Sequence, residues 1–567
     1  MKNYILILLL PFLLIQCKNN STNTTQQNKT IGLLADSAMV VSAREEASKI
    51  GVSILKKGGN AFDAMVATEL ALAVSYPVAG NIGGGGFMVY RLHNGETGAL
   101  DYREKAPILA SKNMYLDENG NVIKNKSTLG AMAVGIPGTI AGIFEAHKKF
   151  GSLPMATLIQ PAIELAKKGV IVTKKQAKSL NANRNKFQKA NNFKIHLDTL
   201  WKAGDTLKFI ELAKTLERIK TKGKDEFYKG ETAHLTVNYL QEMGGIISLQ
   251  DLASYEAKWR TPITFSYRTF EITSMTLPSS GGICLAQILK AIEPYNIKEF
   301  QHNSTKYIQL LTEAERRAYA DRAHYLGDPD FISVSIDSLI NSNYIQHRMN
   351  NFSWEKASKS SDISYGKLNA YESDETTHYS IVDKFGNAVA VTTTLNTSYG
   401  SKVYVKGAGF FLNNEMDDFS VKPGVPNSYG LVGSEANSIA PEKRMLSSMT
   451  PTIVAENGNL KMVVGSPGGS TIITSVLQNI LNITDFNMGM QESVNKARFH
   501  HQWLPDNIRM EPNGFENSIK NELKSLGYQL LERESLVIGK VDAILVLPNG
   551  KLEGGADPRG DDSAAGY

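Results

Sequence analysis

Residues 374–400 read DETTHYSIVDKFGNAVAVTTTLNTSYG. HYSIVD and NAVAVTTTL are rich in β-branched and aromatic residues and flank the Lys384-Phe385-Gly386-Asn387 turn, which predicts a β-hairpin. The segment before it, Trp354 to Asp374, is polar and poor in apolar residues, which predicts a flexible approach to the first strand. A Thr-Thr pair at a strand start ordinarily reflects β-propensity and nothing more. Its meaning changes if the chain is cut before Thr376. A threonine hydroxyl is a poor nucleophile until a base takes its proton. A free α-amine, with a reference pKa of about 7.7–8.0, would then sit on the same residue as the hydroxyl. A cut between Glu375 and Thr376 therefore creates nucleophile and base together.

Upstream of the hairpin, Ala43 to Val74 has helical spacing, broken at Lys57-Gly58-Gly59-Asn60. Gly83 to Gly86 leads into FMVYRL, a strand, so the glycine run lacks the context of a phosphate-binding loop. Thr139 to Gln250 is mainly helical, Ile263 to Met275 alternates as strands, and helices are predicted at Gly282–Ile292 and Lys306–Tyr325. Downstream, MTPTIVAE, Leu460–Gly465 and AILVLP predict strands, and Ile472–Leu481 and Ile519–Leu526 predict helices. Strands and helices in separate groups favour an α+β layered fold over a doubly wound sheet.

The composition is that of a globular protein: 567 residues, 42% apolar, 21% charged, net charge +5. The lysines between Lys148 and Lys224 fall in a stretch of helical patterning, so they are read as a solvated face and not a nucleic-acid surface. At the N-terminus, Lys2 precedes an apolar run, Ile5 to Ile15, too short to span a bilayer but suited to a signal-peptide core. It ends Leu14-Ile15-Gln16-Cys17, which resembles a bacterial lipoprotein signal. Residues 1–17 would then be the signal and Cys17 the lipidated residue, followed by a polar tether at 18–34. That predicts an exported protein, lipid-anchored at the cell envelope on its periplasmic or outer surface. The remaining cysteine, Cys284, lies in the apolar GGICLAQIL and reads as a buried structural thiol. Neither NNEMDDF (413–419) nor His500-His501 has metal-site spacing, so no metal is expected. Taken alone, NNEMDDF reads as a surface turn.

The 374–400 segment resembles the signature of the γ-glutamyltransferase family, within the N-terminal nucleophile hydrolases. Thr376-Thr377-His378, Ser380, Gly386-Asn387, Thr392, Thr394-Leu395-Asn396 and Tyr399-Gly400 fall in its register. Further matching segments follow in family order from about residue 35 to Tyr567. They include GGNAFDAMVA, GNIGGGGFM, LDYREKAP, PSSGGI, LNNEMDDFS, MLSSMTPT, GSPGGS, RFHHQWLPD and ADPRGDDSAAGY. The resemblance implies Thr376 as nucleophile, Thr394 as the residue that orients it, and Gly468 and Gly469 as N–H donors to an oxyanion. It implies Arg103, Ser447 and Ser448 as the donor's α-carboxylate seat, and Asn396, Glu415 and Asp418 as the α-ammonium seat. Pro423 to Arg444, with Tyr429, resembles a lid.

The same resemblance implies a four-layer αββα sandwich. It also implies self-cleavage into a large subunit, 35–375, and a small one, 376–567, forming one catalytic domain. Thr376 would attack the γ-amide of glutathione or another γ-glutamyl compound, and water, an amino acid or a dipeptide would take the acyl group. No cofactor is implied. A glutaryl-type β-lactam acylase of the same superfamily is the nearest alternative. It would be expected to lack the lid and to alter the ammonium ligands, both of which this chain retains. An inactive surface binding lipoprotein is the other alternative; intact Thr376, Thr394, Gly468 and Gly469 argue against it.

Overall fold

Strands Thr377–Val382 and Ala388–Thr394 pair antiparallel, with Thr377 opposite Thr393 and Val382 opposite Ala388. The turn is closed by the Asp383 N–H donating to the Asn387 carbonyl at 3.0 Å. Gly386 there takes φ 88°, a conformation that glycine adopts without a Cβ penalty. The computed structural model describes residues 30–364, 376–428, 430–534 and 536–567. The signal segment 1–17 with Cys17, most of the 18–34 tether, Glu375 and Tyr429 lie outside the described residues.

This hairpin is the centre of a seven-stranded sheet. In spatial order the strands are Ser563–Gly566, Met39–Ser42, Thr377–Val382, Ala388–Thr394, Gly85–Arg91, Thr97–Tyr102 and Lys258–Arg260. A second seven-stranded sheet runs Leu33–Ala35, Leu552–Gly555, Asp542–Val546, Asn459–Gly465, Thr452–Glu456, Phe270–Ser274 and Ile263–Tyr267. All pairings in both are antiparallel.

Side-chain alternation explains the layering. Val40, Met88, Ile381, Val389 and Val391 join a core shared with the helices Glu45–Lys56 and Ala61–Ser75. Their neighbours Met39, Val41, Phe87, Val89 and Ala390 face the other way, into a core with the second sheet and with helices Gly281–Ile292 and Ile472–Thr484. Both faces of the central strands are therefore apolar, and a one-residue slip would exchange the two sets. The result is the expected αββα sandwich. Helix Ala61–Ser75 is buried on every side, and an Asn60–Asp63 capping box fixes its start. Cys284 is fully buried, and burial pushes its thiol up to about 12.

One local expectation fails. NNEMDDF is a 3-10 turn, Glu415–Asp418, packed inside the protein and not on its surface. The Asn413 side chain anchors it: Oδ1 accepts from the N–H groups of Gly135 (2.9 Å) and Glu415 (3.0 Å).

Candidate active site

Thr376 precedes the first paired residue of the hairpin, so the continuing register sets it opposite Thr394, the last residue of the second strand. Both are buried, Thr376 at 3% exposure, and both line one pocket at the end of the sheet. The Thr394 hydroxyl oxygen accepts the Asn396 N–H at 2.7 Å. Asn396 turns the chain there with φ 74°, a left-handed conformation that asparagine tolerates. Its Nδ2 donates to the Asn414 carbonyl at 3.0 Å, which ties the hairpin to the acidic turn.

Arg103 leaves the end of strand Thr97–Tyr102 and is almost fully buried. Its guanidinium pairs with Asp418 at 2.5 Å and Glu415 at 2.7 Å, with Glu104 at 3.4 Å. Three carboxylates around one cation cannot all stay ionised at low cost. Burial pushes Glu415 well above the usual carboxylate range, with the Arg103 charge and the Thr394 hydroxyl acting against it. Burial likewise pushes Glu104 up to about 8 against Arg103, and raises Asp418. Asp418 reaches the pocket lining, whereas Glu415 sits behind Arg103.

Ser447 and Ser448 are held by a different contact. The Ser447 N–H donates to the Pro278 carbonyl at 2.9 Å, and the Ser280 N–H donates back to Ser447 at 2.8 Å. The Ser447 hydroxyl accepts from the Met449 N–H, and the Ser448 hydroxyl accepts from Arg322 Nη2 at 3.1 Å. Gly468 and Gly469 lie between strand Asn459–Gly465 and helix Ile472–Thr484. Gly468 has φ 132°, and a Cβ there would meet the Thr471 hydroxyl at 2.4 Å. The Gly468 carbonyl is occupied by the Thr471 N–H and hydroxyl. Neither glycine N–H donates to a backbone carbonyl or side chain among the described residues. Unsatisfied N–H groups ahead of a helix favour an anion.

The 423–444 loop lies against the same pocket. Leu431 lines it, and Asn427 Nδ2 donates to Asp418 at 3.2 Å. Leu431, Met449, Ile472 and Arg322 also line it and were not singled out from sequence. Only family register could have flagged the first three. Arg322 lies in helix Thr305–Tyr325, whose charges the helical period assigns to solvent.

The geometry thus brings hydroxyls, a buried ion-pair cluster and free N–H groups to one point. Comparison with known proteins identifies the family. The family model for gamma-glutamyltranspeptidase matches residues 47–567. The chain belongs to the gamma-glutamyltranspeptidase family of enzymes. A glutathione hydrolase proenzyme of Escherichia coli strain K12 is 47% identical over 540 residues, covering 94% of this chain and 92% of that one. A solved Helicobacter pylori gamma-glutamyltranspeptidase chain is 44% identical, with a TM-score of 0.56, covering 60% of this chain and 96% of its own. A cephalosporin acylase from Bacillus halodurans superposes with a TM-score of 0.82 at 23% identity, covering 97% of this chain and 99% of its own. At that identity it speaks for the fold alone. Among the described residues, no helix is long and apolar enough to cross a membrane.

Proposed function

We propose that the chain cuts itself before Thr376 and then transfers γ-glutamyl groups from glutathione and related donors to water, amino acids or dipeptides. The observation that carries this is the meeting of Thr376, Thr394, Asn396, Asp418 and Ser448 in one pocket with Arg103 and Gly469, from widely separated segments. In the precursor, the Thr376 hydroxyl attacks the Glu375 carbonyl. The Glu375–Thr376 amide breaks to leave an ester on the threonine oxygen and a free α-amine, and water hydrolyses that ester. In the cut enzyme, the new α-amine takes the hydroxyl proton as the oxygen attacks the donor's γ-carbonyl, and Thr394 orients that hydroxyl. The oxyanion is stabilised by the N–H groups of Gly468 and Gly469, the kind of preorganised donor pair that lowers acyl-transfer barriers. The protonated amine then donates to the departing nitrogen, leaving a γ-glutamyl ester on Thr376 that an acceptor resolves.

Arg103 with Ser447 and Ser448 receives the donor's α-carboxylate, and Asp418 with Glu415 and Asn396 its α-ammonium. The ion pairs inside the protein support this: groups that satisfy one another in the free site can exchange partners with a zwitterion of the same two charges. The 423–444 loop, carrying Tyr429, covers the seat as a lid. On the other side of that loop, a cleft of about 630 Å³ bordered by Lys186, Thr397 and Asn427 offers room for the leaving or accepting peptide. A denaturing gel of purified protein tests the cut. Two fragments meeting at residues 375 and 376 are expected, and a single full-length band would refute it. Glutamate release from glutathione, with and without a dipeptide acceptor, tests the transfer.

We also propose that Cys17 is lipidated and holds the enzyme at the cell envelope. Cys17→Ser should move the protein from the membrane fraction to the soluble one, with kcat/KM within about twofold of wild type. Tether residues separate the anchor from the fold, so catalysis has no reason to respond. Wild-type protein that is fully soluble, with no lipid mass on its first peptide, would overturn the anchor.

A further inference from the structure

Arg103 is already held by Glu415 and Asp418 at 2.7 and 2.5 Å, so an incoming carboxylate reaches it only by exchanging with them. The other buried arginine in the pocket lining is Arg322, on helix Thr305–Tyr325, at 5% exposure. Its Nε donates to the Ser280 hydroxyl at 2.8 Å and its Nη2 to the Ser448 hydroxyl at 3.1 Å. Both partners are neutral, and no ion pair to Arg322 occurs among the described residues. The titratable groups that act on it are Cys284, Tyr319 and Asp418. Burial pushes the Cys284 thiol up to about 12 and the Tyr319 hydroxyl well above its usual range, so both stay neutral near pH 7. Asp418 is engaged by Arg103. A guanidinium cannot shed its charge at ordinary pH, and a buried charge without a counter-ion is strongly unfavourable. The pocket thus holds one arginine in direct ion pairs and a second whose direct partners are neutral, with Asp418 acting on both.

We propose that Arg322 is a second, specificity-determining cation of the donor's α-carboxylate seat, beside Arg103. It acts in two ways. Its charge is left for the ligand, so a donor with a free carboxylate gains an interaction that a neutral analogue lacks. It also occupies a lone pair of the Ser448 hydroxyl, which leaves that hydroxyl's own proton free to donate into the pocket. The same helix fastens the neighbouring oxyanion loop, because the Tyr319 hydroxyl donates to the Ser470 carbonyl at 2.5 Å. One rigid element therefore sets the spacing between the carboxylate seat and the glycine N–H groups.

The inference rests on the γ-glutamyl reading, and one assay separates the two. The probes are γ-glutamyl-p-nitroanilide and the same anilide with its α-carboxylate replaced by a carboxamide. Wild-type enzyme that turns over neither refutes the γ-glutamyl reading and this inference with it. If the wild type favours the free acid, Arg322→Gln should raise KM for the acid about tenfold with kcat within about threefold, and leave the amide's kcat/KM within about twofold. The acid-to-amide ratio then falls about tenfold. Arg322→Lys keeps the charge without the fork and should retain an intermediate ratio. Ser280→Ala removes the anchor at Nε and keeps the charge, so KM for the acid should rise about threefold. Appearance of both fragments on a gel reports folding, and if Arg322→Gln fails to mature, the other two variants carry the test. Equal losses on both donors, or a fall in kcat with KM unmoved, would make Arg322 a structural residue only and overturn the proposal.

Discussion

Replacing Thr376 by alanine is expected to leave a full-length, inactive chain. In the proposed mechanism one hydroxyl performs both attacks, on the Glu375 carbonyl in the precursor and on the donor in the enzyme, so its removal should stop both. Thr376 is buried opposite Thr394 in the hairpin register, and loss of a hydroxyl and methyl at that strand end should leave the sheet intact. Thr376→Ser restores the oxygen and should recover part of each step. Mass spectrometry of the purified variants reads the outcome. Efficient cutting of Thr376→Ala at the same bond would mean that another group performs the maturation.

Asp418→Ala should lower kcat/KM for γ-glutamyl donors roughly 30-fold or more. Removing one member of a desolvated charge pair costs about 2–5 kcal/mol, and each 1.36 kcal/mol is tenfold in rate. Glu415 still pairs with Arg103 at 2.7 Å in this variant, so the guanidinium is not left alone and maturation should survive. A glutaryl donor carries no ammonium and should lose far less, or gain. The ratio of the two donors' kcat/KM values is the diagnostic quantity. Equal losses on both, with normal maturation, would show that Asp418 does not read the amino group.

The hairpin was legible because strand period and turn chemistry agree within fewer than twenty residues. The neighbours of that hairpin were not, since nothing local tells Thr377–Val382 to pair with Met39–Ser42, more than three hundred residues earlier. At the site, only Thr376 could be argued from chemistry, as a new N-terminus, whereas Thr394, Arg103, Ser447 and Ser448 were visible only through motif register. The acidic turn was misplaced because charge normally means exposure. Here, anchoring by Asn413 and pairing of Glu415 and Asp418 with Arg103 outweigh that tendency. Arg322 was invisible for the same reason. Every residue from Tyr307 to Arg322 is buried, so the helix has no solvated side for its charges to mark.

In each sheet, strands that follow residue 376 lie between strands that precede it. Thr377–Val382 and Ala388–Thr394 are bracketed by Met39–Ser42 and Gly85–Arg91, and Leu552–Gly555 through Thr452–Glu456 by Leu33–Ala35 and Phe270–Ser274. A cut before Thr376 therefore severs the chain without opening a seam, and the two pieces stay locked by backbone ladders. It also changes the order of the folding reaction. The intact precursor can assemble these sheets as a single molecule, but two unfolded fragments must first find each other, each exposing unpaired strand edges while apart. The lifetime of the cut enzyme then rests on its unfolding barrier and not on reversible equilibrium, because an unfolding event is far harder to undo after the cut than before it.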